Sequence, residues 1–259
     1  MDFKIAVIKG DGVGPEIVDE GIKVLNKIGK KYNHNFKCIE VLGGGVAIDK
    51  FGTPLPKETL DECKKSDAVL LGAVGGPAWD NIEPSIRPEK GLLALRQGLN
   101  LFVNLRPATM HESIKESSPL RRDIVEKGID FVVVRELTGG IYFGDRKTEV
   151  IDNVEVAYDV EKYDENEIRR IGKKAFETAR IRKKRLTCVD KANVLDSSKL
   201  WRKIMNELSE EYKEVKLNFM YVDNATMQLI KDPSQFDTIV TNNIFGDIIS
   251  DEASMITGS

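Results

Sequence analysis

Lys4 to Leu25 reads KIAVIKGDGVGPEIVDEGIKVL. Ile5 to Ile8 is a short apolar run of the kind that forms a buried strand, and the glycines of the following GDGVG interrupt it. Pro15 stands where proline suits the first turn of a helix, so a helix is predicted over Pro15 to Lys31. Strand, glycine turn and helix make one βα unit. Such a turn can present backbone N–H groups to an anion. The GxGxG spacing, however, matches neither the dinucleotide fingerprint nor the phosphate loop, and no Lys-Ser/Thr follows. A tight βα turn is the plainer reading.

The unit recurs along the chain. Further strands are expected at Ala68 to Leu71, Phe131 to Val134, Leu186 to Val189, Leu217 to Tyr221 and Thr238 to Thr241. Helices are expected over Glu165 to Arg182, where Ile168, Ile171, Ala175, Phe176 and Ala179 share a stripe, and over Ser197 to Tyr212 with Ser197 as cap. Alternation of this kind means an α/β fold. RELTGGIYFGDRKTEVIDNVEVAYDVEKY breaks it, being glycine-punctuated and β-branched, and reads as strands or a protruding hairpin that could serve an interface. The turn residues of LRQGLNLFVNLRP mark a change of domain near residue 100.

The 259 residues suffice for one large domain or two ordinary ones, and 41% hydrophobic with 31% charged residues is a soluble globular composition. The net charge is -3, and the one basic cluster, Arg180, Arg182, Lys183, Lys184 and Arg185, is too short to track nucleic acid. Cys38, Cys63 and Cys188 are far apart without a CxxC pair, which argues against a disulfide framework or structural zinc and fits a reduced cytoplasm. No apolar run approaches the roughly 18 residues of a membrane-spanning helix. The start runs straight into a strand rather than a signal peptide.

Several residues could carry chemistry. Asp247 and Asp251 lie four apart in a helical stretch, on one face, where like charges repel unless a cation neutralises them. With Asp223, at the end of an apolar strand, they make three oxygen donors of the kind a hard divalent ion takes. For each Asp alone, a solvated face or helix cap is the commoner role. Arg135 ends the apolar DFVVVRE and needs a partner, either a carboxylate ligand or an internal acid such as Glu136. Arg96 falls in the helical GLLALRQG, and Arg106 follows LFVNL before Pro107. Lys191 lies just past a buried strand, where desolvation favours a neutral amine. Tyr142 sits close to Gly139 and Gly140. Lys191 and Tyr142 could pair as base and acid, though each alone is more often structural.

Taken together, KGDGVGPE, LLGAVGGPAWD, RPEKGLLALRQGLNLFVNLRP, VVVRELTGGIYFGDR, VDKANVL, YVDNATMQLI and NIFGDIISDEASMITG resemble the β-decarboxylating dehydrogenases, the isocitrate and isopropylmalate dehydrogenase family. The likeness runs in order from residue 4 to the end. It implies two α/β domains, with residues 1–100 a discontinuous first domain on the cofactor side, 101–252 a second domain with substrate, metal and dimer arm, and 253–259 the start of a return to the first.

The resemblance assigns Arg96, Arg106 and Arg135 to substrate carboxylates and Asp223, Asp247 and Asp251 to Mg²⁺ or Mn²⁺, with Asp223 also touching substrate. Lys191 would take the hydroxyl proton while hydride passes to NAD, and Tyr142 would protonate the enol left after CO₂ departs. Lys191 and Asp223 would reach the site from the other subunit, which implies a homodimer, with residues 140–160 as an interlocking arm. The cofactor loop would comprise Gly76, Pro77, Ala78, Trp79, Asp80, Asn81, Ile82, Glu83, Pro84, Ser85, Ile86, Arg87, Pro88 and Glu89, with Glu89 near the nicotinamide ribose. Leu92 and Leu93 stand where an isopropyl group is accommodated, which favours isopropylmalate and leucine biosynthesis. Homoisocitrate, tartrate or malate remain alternatives. The terminal apolar run shows no cap, and members of the family continue well past residue 259. The resemblance therefore also implies a partial chain that binds NAD weakly and turns over little, or a truncated, non-catalytic dimerising fragment.

Overall fold

The structure, a computed structural model, describes residues 1–258. The chain divides into two compact units, Met1–Asn100 and the part from Leu101 on.

In the first unit, β1 (Asp2–Gly10) lies between β2 (Asn35–Glu40) and β3 (Ala68–Ala73), parallel to both. Successive β1 side chains serve opposite faces. Ile5 and Val7 pack with Val18, Ile22 and Leu70 against α1 (Gly14–Tyr32). Ala6 and Ile8 pack with Cys63, Leu60 and Leu95 on the other side, where α3 (Lys57–Lys64) and α4 (Pro88–Gly98) lie beyond the short α2 (Gly45–Phe51). A parallel strand covered on both faces reads as a continuous apolar run, as this one does. Pro15 is in the first turn of α1, which closes at Asn33 in the left-handed conformation.

The second unit is built on a five-stranded sheet with order β4 (Val103–Thr109), β5 (Asp130–Glu136), β10 (Thr238–Thr241), β8 (Arg185–Asp190) and β9 (Lys216–Tyr221). Only β4 runs antiparallel to its neighbour. One face is covered by α6 (Glu165–Arg180) and α7 (Asp196–Ser209) through Ile168, Ile171, Phe176, Trp201, Ile204 and Leu208. The other is covered by α8 (Val222–Lys231) and α9 (Asn243–Thr257) through Ala225, Leu229, Ile249, Ala253 and Ile256. Each buried Ile, Leu or Phe contributes about 1.5–3 kcal/mol. A single turn, α5 (Arg122–Val125), precedes β5.

Two helix starts differ from expectation or add to it. α7 begins one residue before Ser197, and no side-chain cap bond forms there. α6 opens on a capping box that its DENE sequence contains, with Asp164 and Glu167 bonding reciprocally. The excursion after β5 is a two-stranded antiparallel hairpin, β6 (Arg146–Ile151) and β7 (Val154–Asp159), turning at Asp152 and Asn153, both at positive φ. That geometry matches the right-handed twist of the flanking strands. Val150, Ile151, Val154 and Tyr158 of the hairpin are exposed.

The chain end also differs from expectation. Residues 253–257, read as the start of a return to the first domain, are the last turns of α9 and pack within the second unit. The helix does have a cap, Gly258, left-handed at φ 72°, whose N–H bonds Met255. Ser259 lies outside the described residues.

Candidate active site

In the first unit the glycine turn after β1 is organised around a side chain the sequence did not single out. Asp11 is 1% exposed, and its carboxylate accepts the N–H groups of Gly45 (2.8 Å), Val46 (2.9 Å) and Gly75 (2.7 Å). The anion at this loop is therefore the protein's own, and it occupies the N-terminus of α2. Gly75 is the root of the segment expected to meet the cofactor. Gly75 sits at φ 97°, and a Cβ there would come 3.0 Å from Glu89 Oε1. The segment itself forms two short 3₁₀ turns, Pro77–Trp79 and Pro84–Ile86. It is tied by Trp79 Nε1 donating to Asp49 (3.0 Å) and Arg87 Nη2 donating to the Asp80 carbonyl (2.8 Å). Asn81, Glu83, Ser85 and Glu89 are exposed. Arg96 lies on α4, and Leu92 lines a small apolar pocket with Ile8, Pro54, Leu71, Val74 and Leu95.

In the second unit, two clusters emerge. The first is centred on Arg135, 2% exposed at the end of β5. Its Nε and Nη2 donate to Asn243 Oδ1 at 3.1 and 2.8 Å, and its Nη1 donates to Asp247 Oδ1. Tyr142 OH donates to the other Asp247 oxygen at 2.8 Å. Glu136, named as an alternative partner for Arg135, does not take that part, because adjacent strand residues point to opposite faces. Glu136 is fully buried on the α6 side and accepts from Thr138 N, Gly139 N (2.8 Å) and Tyr163 OH (3.2 Å). Tyr163 OH accepts in turn from the Asn243 N–H at 2.9 Å. Burial holds the Tyr163 phenol far above its ordinary range, so it stays a neutral hydroxyl. Glu161 accepts the Ile141 N–H and is shifted upward by burial. The turn that carries Tyr142 is thereby fixed from beneath by the buried carboxyl of Glu136 and the half-buried one of Glu161.

Asp251 follows Asp247 by one turn of α9 and is exposed. The cation beside Asp247 in the folded chain is Arg135. Next to Asp251, burial pushes Glu252 up to about 7, so near neutral pH it carries only part of a charge. α9 can approach Arg135 because residue 246 is glycine. A Cβ there would lie 2.5 Å from Arg135 Cγ. Gly246→Ala should cost about 2 kcal/mol by urea unfolding and displace the guanidinium. Parent-like stability would show that the helix has room to shift.

The second cluster lies where β8 and β9 end. Lys191 Nζ donates to Asp223 Oδ1 at 2.5 Å, and the ammonium holds the Asp223 carboxyl below its usual range. Asp223 is exposed, in the first turn of α8 directly after β9. Among the described residues, no three His, Cys, Asp or Glu side chains gather as a metal-binding group, so Asp223 is not brought together with Asp247 and Asp251 within one chain. Arg106, on the edge strand β4, is exposed and bonds Asn104 (2.7 Å).

The isocitrate/isopropylmalate dehydrogenase family model matches residues 4–259. The chain belongs to this family. The 3-isopropylmalate dehydrogenase of Clostridium pasteurianum is 60% identical over 258 residues, covering all of this chain and 72% of that protein. The 3-isopropylmalate dehydrogenase of Aquifex aeolicus is 55% identical, covering 99% of this chain and 71% of its own length. Among solved structures, isocitrate dehydrogenase from Methylococcus capsulatus superposes with a TM-score of 0.81 at 33% identity, covering 99% of this chain and 71% of that one. As a family member the chain is of the dehydrogenase class. No helix of the described residues is long and apolar enough to cross a membrane.

Proposed function

We propose that the protein is a 3-isopropylmalate dehydrogenase of leucine biosynthesis, oxidising (2R,3S)-3-isopropylmalate with NAD and releasing CO₂ to give 4-methyl-2-oxopentanoate. The observation that carries this is the Arg135, Tyr142 and Asp247 cluster, in a chain 54–60% identical to proteins of that name.

The residues fit the groups this chemistry needs. Asp223, Asp247 and Asp251 are oxygen donors suited to Mg²⁺ or Mn²⁺. The open segment Gly76 to Glu89, rooted at glycines whose backbone a ligand can approach, suits NAD. When bound, these groups would supply Lewis acidity and a hydride acceptor. Arg135, held by Asn243 and Asp247, is the cation of this cluster that a substrate carboxylate would meet, and Arg96 and Arg106 are the other two arginines proposed for the substrate's carboxylates. Leu92 in its apolar setting suits the isopropyl group. Lys191 in its neutral amine form takes the hydroxyl proton, and the Tyr142 hydroxyl returns a proton to carbon after CO₂ leaves.

Half-buried Lys191 and exposed Asp223 form their own pair, with no metal-binding group joining it to Asp247 among the described residues, which supports a homodimer in which each copy lends this pair to the other's site. The exposed apolar hairpin is the candidate arm between copies. With no membrane-spanning helix and no disulfide among the described residues, a cytoplasmic location is in keeping with this reading.

The test is NADH formation with Mn²⁺ and a diacid panel, on a protein of the relatives' full length. Isopropylmalate should exceed malate, tartrate and homoisocitrate by about 100-fold or more in kcat/KM. A higher value for any other diacid would move the assignment to that substrate.

A further inference from the structure

Lys191 emerges from a segment pinned at consecutive residues. Thr241 Oγ1 donates to the Val189 carbonyl (2.8 Å), the Lys191 N–H donates to Ser198 Oγ (3.1 Å), and the Ala192 N–H donates to Asp190 Oδ1 (2.9 Å). The Asp190 carboxylate, 3% exposed, is gripped by Arg202 of α7 through Nε (2.6 Å) and Nη2 (3.0 Å). The same guanidinium lies over Tyr221 and Phe219, 4.8 and 5.2 Å from the ring centroids. Those rings are on β9, where Tyr221 pairs in register with Asp190. Tyr221 stands two residues before Asp223. One arginine thus touches the ends of both strands from which Lys191 and Asp223 project, by contacts that use its planar fork and its face together.

We propose that Arg202 is a positioning residue: its fork on Asp190 and its face on Tyr221 hold Lys191 and Asp223 at hydrogen-bonding separation, so that the two are delivered to the site as one preassembled unit. The inference rests on the isopropylmalate reading above. A lysine could keep the charge beside Asp190 but has neither the fork nor the planar face. A purely structural arginine would alter the melting temperature alone. A positioning arginine alters turnover, since a misplacement of about 1 Å in a reacting group costs on the order of 100-fold.

The experiment compares the parent with Arg202→Lys and with Tyr221→Leu, the latter at a residue 37% exposed where the fold tolerates change. Melting temperature, kcat, KM for isopropylmalate and half-saturating Mn²⁺ are measured for each. The expected result for Arg202→Lys is a kcat lower by about 10- to 100-fold. Its KM should stay within about twofold, because the arginines on the substrate are untouched, and its Mn²⁺ requirement should rise because Asp223 is displaced. Tyr221→Leu should show the same pattern, weaker. A folded Tyr221→Leu with parent-like kcat and Mn²⁺ requirement overturns the inference, as does a folded Arg202→Lys of that kind. A parent inactive on isopropylmalate while turning over another diacid sinks the substrate reading instead, and the same comparison is then made on that diacid.

Discussion

Lys191→Ala and Tyr142→Phe proteins, each nearly inactive alone, should recover activity when unfolded together in equal amounts and refolded. On the roles proposed for them, loss of the base or the acid lowers kcat by about 10²–10⁴-fold. Lys191 sits with Asp223, whereas Tyr142 sits with Asp247, and no metal-binding group joins the two clusters among the described residues of one chain. If each site takes one cluster from each copy, a mixed dimer has one site with both defects and one with neither. Random pairing in a two-fold dimer makes about half of the molecules mixed, so roughly a quarter of the parent activity should return. Mixing without unfolding should return less, at a rate set by subunit exchange. No recovery, with dimers verified by light scattering, would mean that both clusters serve a site within one chain.

Asp11→Ala should have the largest effect on stability. It removes the acceptor of three backbone N–H groups, from Gly45, Val46 and Gly75, around a side chain 1% exposed. Each buried donor left unpaired costs about 1–3 kcal/mol, so a loss of roughly 4 kcal/mol is expected in urea unfolding of the first unit. Because Gly75 roots the segment leading to Glu89, KM for NAD should also rise, while KM for the diacid changes less. A stable variant with parent-like KM for NAD would show that the turn holds its shape without the carboxylate.

The parts of the fold legible in the sequence are those buried on both sides. β1, β5, β8 and β10 are runs with almost every side chain covered, so their apolar character is continuous. β2 is a sheet edge with mixed exposure, and NFKCIE carries no continuous apolar signal, whereas β4, also an edge, is legible only at its start in the strand-like LFVNL. α8 was hidden because it follows β9 without a loop or capping bond. In the site, Arg135 could be suspected from its place at the end of an apolar strand. Its partner could not, because Asp247 lies 112 residues further along and meets it only through the packing of α9 on β5. Asn243, Tyr163, Asp190 and Arg202, and the partners that Glu136 takes in place of Arg135, are not legible for the same reason. Their role lies in which groups they face, and adjacent asparagines or an aspartate before a lysine carry no sign of it. For Asp11 there was a signal, an acidic residue between two glycines directly after a buried strand, but it was read as part of a turn.

The alternation along β5 has a consequence for folding fidelity. Arg135 is delivered to the α9 side and Glu136 to the α6 side, each to a network of opposite or neutral character. If β5 slipped by one residue so that Glu136 took the place of Arg135, a carboxylate would face Asp247 and the guanidinium would leave the α9 side. Apolar neighbours such as Val132, Val133 and Val134 are interchangeable and would oppose such a slip only weakly. The buried guanidinium of Arg135, which would lose Asn243 and Asp247, opposes it much more strongly. The contact between Arg135 and Asp247 thus also proofreads the alignment of the strand that carries the arginine.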